Sequence, residues 1–252
     1  MPEQTGQKSA FAPATGYHAL TPERCGIRPY YQDDAVTLYL GDCKQIVPLL
    51  GKFDLLLTDP PYGINASSGV GKSGREKWTT GDTKWDAAAP PPWVMDMLLS
   101  SSARHIIWGG NYYALPPTRR YLIWDKGAGF KGRDFAECEQ AWCSMDGNAR
   151  IFSRNPLSSG DYRGKDHPTM KPLALMVWCI AQAGDGVQTI LDPFAGSGTT
   201  GRAAKDLGLK AVLIEREERY CEIAARRMAQ EVLPLHDNEV AHPRREVEGG
   251  AK

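Results

Sequence analysis

Hydrophobic residues along the chain form short runs that alternate with polar, glycine-rich segments. Apolar runs of three to six residues, often followed by Gly, Asp or Pro, predict buried strands at 36–40, 53–57, 105–108, 121–124, 139–144, 189–191 and 211–214. Stretches with helical spacing or helix-start signals predict helices at 45–50, 93–102, 173–183, 199–207 and 217–231. The two kinds of element alternate, which is typical of an α/β fold.

The distribution of these elements defines one domain with tails. The 252 residues suffice for a single substantial core. Residues 1–29 lack periodicity and are expected to form a tail or surface wrap, and 234–252 form a charged tail. The domain between them, 30–233, contains two long polar insertions at 64–85 and 127–168. Long loops inside compact domains are usually functional or disordered.

Charge and cysteine usage narrow the class of protein. Thirty lysines and arginines balance thirty aspartates and glutamates, so any nucleic-acid contact must come from a local basic surface. The six cysteines contain no C-x-x-C pair and most lie in or beside apolar stretches, which favours buried thiols in a reduced, cytoplasmic protein. Apolar runs are too short for a membrane span, and no signal-peptide core is visible.

The segment 58–63, Thr-Asp-Pro-Pro-Tyr-Gly, is the first candidate site, and we call it the Asp59 loop. It follows a predicted buried strand, and its prolines cannot donate to a sheet ladder. Asp59 and Tyr62 therefore lie on a stiff loop at the carboxyl end of a strand, where open α/β sheets bind ligands. A carboxylate, the Pro60 carbonyl and an aromatic face suit a flat ring with an exocyclic amine. The alternative is an ordinary proline-rich turn capped by Asp59.

The segment 192–201, Asp-Pro-Phe-Ala-Gly-Ser-Gly-Thr-Thr-Gly, is the second candidate, and we call it the glycine loop. It lies between a strand and a helix, and the next strand ends in Glu215. Glycines let a ligand approach the backbone at a helix start, and the acid can accept both ribose hydroxyls. This pattern predicts a cofactor that contains adenosine. A nicotinamide dehydrogenase is the competing hypothesis. Two features argue against it: too little chain follows the glycine loop for a second nucleotide-binding half, and an acidic residue and bulky residues precede Gly196.

Together the two loops resemble the S-adenosylmethionine-dependent DNA amino-methyltransferases. That family carries [Asp/Asn/Ser]-Pro-Pro-[Tyr/Phe/Trp] and Phe-x-Gly-x-Gly motifs, and here the first precedes the second, as in its permuted beta arrangement. The resemblance runs from about residue 36 to 231 and includes Gly41-Asp42-Cys43 and the segment 167–172. It implies a Rossmann-like methyltransferase fold with a mostly parallel central sheet, helices on both faces and circularly permuted motif order.

The resemblance also implies roles for individual residues. Asp59, Pro60, Pro61 and Tyr62 would form the catalytic site, in which Tyr62 stacks on a base flipped out of double-stranded DNA. Glu215 would hold the ribose of S-adenosylmethionine. The remaining expected cofactor-binding residues are Asp42 and Cys43 near the adenine, Lys171 near the carboxylate, and Asp192, Phe194, Ala195, Gly196, Ser197, Gly198, Thr199 and Thr200 around the methionine part. No metal ion is required.

The target base and the residues that contact DNA can also be predicted. Aspartate at the first motif position favours the 6-amino group of adenine, since family members acting on the 4-amino group of cytosine more often carry serine. Basic residues in the two insertions are the candidates for phosphate contact: Lys72, Arg75, Lys77, Lys131, Arg133, Arg150, Arg154, Arg163 and Lys165. The same insertions are expected to provide sequence specificity, either for a short target or with help from a second subunit in a homodimer.

Three other hypotheses remain. Segment 66–73 loosely fits a phosphate-binding loop, but it lacks the strand before it and the helix after it that such a loop needs. Methylation of RNA or of a protein glutamine would use the same amine-holding chemistry. A catalytically silent binding module would require no intact Asp59 loop, whereas Asp59 and Tyr62 are both present.

Overall fold

The computed structural model describes residues 26–64, 86–132, 136–161 and 170–230. Within these ranges, nine strands form one sheet: β1 Tyr31–Gln32, β2 Val36–Leu40, β3 Phe53–Thr58, β4 Ser102–Trp108, β5 Tyr121–Asp125, β6 Cys138–Cys143, β7 Arg150–Ser153, β8 Thr189–Asp192 and β9 Lys210–Glu215. The same described residues contain five α-helices: α1 Cys43–Ile46, α2 Pro92–Ser101, α3 Leu173–Gln182, α4 Thr199–Asp206 and α5 Glu218–Met228.

The sheet is mostly parallel, in the order β1-β2-β9-β8-β3-β4-β6-β5-β7. Strands β2, β9, β8, β3 and β4 run parallel, while β1 and β6 are antiparallel to their neighbours. From the central pair, β3 continues to β4 on one side and β8 continues to β9 on the other. Connections that leave in opposite directions open a crevice at the carboxyl ends of the pair, the usual ligand site of such sheets.

Helices cover both faces of the sheet because consecutive strand residues point to opposite sides. Leu55 and Leu57 of β3 pack in the core layer beneath α3, α4 and α5, whereas Leu56 packs in the layer beneath α1 and α2. All three leucines are fully buried. Burial on both sides explains why β3 is a continuous apolar run rather than an alternating one.

The main strands and helices lie where the hydrophobic pattern predicts them, with three differences. The pattern missed β1 and β7; β7 is an edge strand whose Ile151 is 65% exposed, so its burial signal is weak. The helix predicted at 45–50 begins earlier, because the Asp42 side chain accepts a hydrogen bond from the Lys44 amide and caps α1. It continues as a 3₁₀ turn at Val47–Leu49, which contains Pro48.

Several predictions fall outside the described residues. These are the carboxy-terminal tail 234–252, residues 65–85 of the first insertion, and most of the amino-terminal tail 1–29. So do six of the candidate DNA contacts, namely Lys72, Arg75, Lys77, Arg133, Arg163 and Lys165. Within the described ranges, no helix has both the length and the apolar character needed to cross a membrane.

Candidate active site

The two candidate loops meet although 134 residues separate their contacting side chains. The Thr58 hydroxyl donates to Asp192 Oδ1 at 2.7 Å, and the Thr200 hydroxyl donates to Asp192 Oδ2 at 2.5 Å. Asp192 also accepts from the Phe194 amide at 3.1 Å. Burial raises the pKa of the Asp192 carboxyl to about 6, against the opposing effect of these donors. The Asp192 side chain at the end of β8 is therefore hydrogen-bonded both to the end of β3 and to α4.

The Asp59 carboxylate has a donor on each oxygen. The Tyr62 hydroxyl donates to Oδ1 at 2.5 Å, and Lys171 Nζ donates to Oδ2 at 2.5 Å. Burial raises the pKa of Asp59 above its usual range, and the neighbouring Lys171 ammonium opposes that rise. The carboxylate is thus a half-buried acceptor whose two oxygens face different partners.

Two tyrosines that the sequence analysis did not single out complete the Asp59 loop. The Tyr113 hydroxyl lies 2.9 Å from the Pro60 carbonyl oxygen and 3.0 Å from that of Pro61. Tyr112 is 45% exposed and stacks on Tyr62, with ring centroids 4.7 Å apart and planes at 11°. This face of Tyr62 therefore already stacks on a flat ring, that of Tyr112.

Gly109 allows this arrangement. It has a φ of +66°, and a Cβ atom added there would lie 2.2 Å from the Tyr62 ring. Any other residue would push the tyrosine away from Asp59. The signal for Gly109, Tyr112 and Tyr113 was the sequence Gly-Gly-Asn-Tyr-Tyr directly after a predicted strand. Its importance becomes visible only once β4 is known to lie next to β3.

Lys171 contacts a second carboxylate besides Asp59. Its Nζ lies 3.0 Å from Glu139 Oε2, and Lys126 Nζ lies 2.6 Å from Glu139 Oε1. Burial disfavours charge on Glu139, but the two ammonium groups outweigh it and hold the Glu139 pKa at about 2. The sequence analysis did not assign a role to Glu139 or Lys126; the available signal was a carboxylate within a strand that is otherwise largely buried.

The cofactor side of the site is organised around Glu215. Its Oε2 accepts from the Gly196 amide at 2.7 Å, and its Oε1 accepts from the Arg216 and Glu217 amides, each at 2.8 Å. Burial raises the Glu215 pKa, and the backbone donors oppose this. Gly198, with a φ of +78°, lets the glycine loop pack on α5, since a Cβ there would lie 2.8 Å from Ala224 Cβ.

Among the described residues, a cavity of about 330 Å³ is lined by both loops. From the predicted site, its wall contains Asp42, Cys43, Asp59, Pro61, Phe194, Gly196 and Glu215. The other predicted catalytic and cofactor residues do not line it: Pro60, Tyr62, Lys171, Asp192, Ala195, Ser197, Gly198, Thr199 and Thr200. The volume is within the range of small-molecule sites.

Of the candidate DNA contacts, three lie in the described ranges. Lys131 follows β5 at the same edge of the sheet as the cavity. Arg150 begins β7, which runs parallel to β5, and therefore lies at the opposite edge. Arg154 follows β7 and so lies at the same edge of the sheet as the cavity, but its guanidinium is paired with both carboxylate oxygens of Asp161, at 2.7 and 2.9 Å.

Comparison with known proteins shows which family the chain resembles. A family described as DNA methylase matches residues 129–226, which contain Glu139, Lys171, the glycine loop and Glu215. The type II methyltransferase M.HinfI of Haemophilus influenzae is 25% identical, over 79% of this chain and 69% of the relative. The chain resembles the S-adenosylmethionine-dependent DNA amino-methyltransferases. This confirms the resemblance predicted from the motifs.

Two further comparisons agree with this. The type II methyltransferase M2.MboI of Moraxella bovis is 31% identical, over 62% of this chain and 51% of the relative, so the match spans about half of that protein. A solved structure of the PvuII DNA methyltransferase, described as cytosine-N4-specific, has a TM-score of 0.53 and 16% identity, over 82% of this chain and 91% of that one. That likeness confirms the Rossmann-like α/β methyltransferase fold. Together the comparisons support a DNA amino-methyltransferase and leave adenine-N6 and cytosine-N4 undistinguished.

Proposed function

We propose that this protein transfers the methyl group of S-adenosylmethionine to the exocyclic 6-amino group of an adenine flipped out of double-stranded DNA. The observation that carries the proposal is the shared cavity. Asp59, an acceptor for an amine, and Glu215, an acceptor for ribose hydroxyls, line the same space of about 330 Å³. A donor of the methyl group and its acceptor can therefore be held next to each other, which supplies much of the rate of a two-substrate reaction.

The residues of the cavity fit S-adenosylmethionine. Glu215 presents two carboxylate oxygens that already accept hydrogen bonds from three amides, so its position is fixed before the ribose arrives. The half-buried Phe194 and the buried Cys43 provide apolar surface, and the Gly196 backbone allows close approach. When bound, this cofactor supplies an electrophilic methyl group. Asp42, Phe194, Gly196 and Glu215 would bind and orient it.

The Asp59 loop would hold the acceptor amine. One amine hydrogen is donated to Asp59 Oδ1 in place of the Tyr62 hydroxyl, and the other to the Pro60 carbonyl, which Tyr113 keeps in position. As the bond from nitrogen to the methyl carbon forms and the bond from sulfur to that carbon breaks, positive charge moves to the nitrogen, and the Asp59 carboxylate would stabilise it. S-adenosylhomocysteine is the leaving group, and the extra proton on the nitrogen passes to solvent. Tyr62 would stack on the base at the face that Tyr112 occupies in the free protein.

Adenine is proposed because Asp59 stands at the first motif position. The alternative is the 4-amino group of cytosine, since both amines present two hydrogens in similar geometry, and the PvuII enzyme with the same fold is cytosine-N4-specific. Methylation of an amine in RNA or protein is the remaining alternative. Lys131 is the best placed of the described candidates for phosphate contact. It lies at the same edge of the sheet as the cavity, and it lacks the ion pair that occupies Arg154.

Nucleoside analysis distinguishes these alternatives. Unmethylated genomic DNA is incubated with the protein and S-adenosylmethionine that carries a labelled methyl group, then digested to nucleosides. Label in 6-methyladenine is the expected result. Label in 4-methylcytosine would retain the reaction and overturn the base. Absence of label from DNA, with label in RNA or protein supplied in parallel, would overturn DNA as the substrate.

A further inference from the structure

Four charged side chains form a continuous line that ends at Asp59. Lys126 contacts Glu139 at 2.6 Å, Glu139 contacts Lys171 at 3.0 Å, and Lys171 contacts Asp59 at 2.5 Å. The charges alternate, so the line has no net charge when all four groups are ionised. We call these four residues the charge line.

The two lysines of the charge line are buried and packed against aromatic rings, and its two carboxylates are half-buried. The side chains of Lys126 and Lys171 are 7% and 6% exposed. Lys126 Nζ lies 5.1 Å from the ring centre of Trp124 and 5.5 Å from that of Phe130, and Lys171 Nζ lies 5.3 Å from that of Trp108. Aromatic faces at these distances attract cations and fix where the ammonium groups sit.

Stability does not account for this arrangement. Buried ion pairs lose hydration, and apolar residues of the same size commonly stabilise a fold as well or better. The charge line instead connects separate segments: Lys126 follows β5, Glu139 lies in β6, Lys171 precedes α3 and Asp59 follows β3. It runs from the periphery of the sheet to one residue of the cavity wall, which indicates that its purpose concerns that residue.

We propose that Glu139 and Lys126 are positioning residues for Asp59, acting through Lys171. This inference rests on the proposed function, in which Asp59 accepts the amine. Lys171 holds Oδ2 and so turns Oδ1 towards Tyr62, where the amine would bind. Glu139 competes with Asp59 for the Lys171 ammonium, and Lys126 reduces that competition by neutralising Glu139. The two outer residues thereby set how much of the Lys171 charge acts on Asp59.

Opposite effects follow from removing either outer charge. Glu139→Gln removes a neighbouring negative charge and leaves Lys171 to Asp59, so the pKa of Asp59 should fall. Lys126→Met keeps the packing against Trp124 but leaves Glu139 unneutralised, so the pKa of Asp59 should rise. Among the described residues, the other titratable groups facing Asp59 are Tyr62, Tyr113 and Asp192, which neither substitution changes.

The test is a carboxyl-carbon NMR titration of protein labelled with ¹³C at aspartate Cγ, with Asp59→Asn to assign the signal. We expect the pKa of Asp59 to change by on the order of one pH unit, falling in Glu139→Gln and rising in Lys126→Met. The double variant, with its charge balance restored, should return close to wild type. Asp146→Asn and Arg119→Met are matched controls, since they break an exposed ion pair and should leave Asp59 unchanged.

The pH profile of methyl transfer provides the second measurement. Its acid limb should move in the same two directions, because Asp59 must be ionised to accept the amine. No shift, or shifts of the same sign in both single variants, would overturn the positioning role even if the wild type methylates DNA. A different result would separate the two proposals. If the two variants shift the pKa of Asp59 in opposite directions but the wild type transfers no methyl group to DNA, the charge coupling stands and the proposed function is overturned.

Discussion

Tyr62 makes two separable contacts, and a pair of substitutions tells them apart. Its hydroxyl donates to Asp59, and its ring presents a face to Tyr112. Stacking of a base on an aromatic side chain contributes about 1–3 kcal/mol. We expect Tyr62→Ala to lower kcat/KM for DNA by roughly 10- to 100-fold, and Tyr62→Phe to retain most activity, because it keeps the ring and the amine replaces the hydroxyl. Steady-state kinetics check this; equal losses in both variants would assign the effect to the hydroxyl instead.

The contacts of individual side chains in the site are the feature that the sequence predicted least well. Asp59 and Glu215 were recognisable because their neighbours in sequence form a motif. Lys171 was expected near the cofactor, and the structure places its ammonium on Asp59, 112 residues away in sequence. Glu139, Tyr112 and Tyr113 belong to no motif. Their contacts with the Asp59 loop arise from strand order, which hydrophobic periodicity does not encode.

At the scale of elements, the pair β3–β8 is tied at both ends by an aspartate. Asp192 joins the carboxyl ends through Thr58, and Asp54 joins the amino ends by accepting from the Gln188 and Thr189 amides, each at 2.9 Å. The two carboxyls differ electrostatically. Burial raises the pKa of Asp192 to about 6, whereas for Asp54 the effect of burial is outweighed by hydrogen bonds, and its pKa is lowered.

This difference predicts opposite dependences of stability on pH. Asp192 has a raised folded-state pKa, so its stabilising effect is full below about pH 4 and is lost as pH rises through about 6, by roughly 2–3 kcal/mol. Asp192→Asn should therefore be most destabilising at acid pH relative to wild type. Asp54 has a lowered pKa, so Asp54→Asn should be most destabilising near neutrality. Urea denaturation between pH 4.5 and 7.5 measures both; parallel curves for the two variants would contradict this account.

For the whole molecule, the α/β class and the positions of most elements followed from the sequence because buried strands and helix starts are local signals. Edge strand β7 was missed, since its residues are largely exposed and carry little hydrophobic signal. The two loops were assigned to one site by resemblance to a family. Their actual meeting depends on β3 and β8 being neighbours, a long-range pairing that no local pattern specifies.

The position of basic residues on the molecule gives a prediction for DNA binding. Each phosphate contact that is lost reduces the slope of log affinity against log salt by about 0.9. Lys131 lies at the same edge of the sheet as the cavity, and Arg150 lies at the opposite edge of the sheet. We expect Lys131→Ala to weaken DNA binding with this change of slope, and Arg150→Ala to have little effect. Fluorescence anisotropy at several salt concentrations measures both. The reverse ranking would place the DNA on the other edge of the sheet.

The role of Asp59 in the proposed reaction is to activate a DNA amine towards a methyl group held in the same cavity. Its most direct test compares wild type and Asp59→Ala for transfer of a labelled methyl group from S-adenosylmethionine to unmethylated DNA, with cofactor affinity measured by calorimetry on the same samples. We expect label in DNA with the wild type, a loss of at least about 100-fold in the variant, and cofactor affinity within a few-fold. Full transfer by Asp59→Ala, or no transfer by a wild type that binds the cofactor, would contradict the account.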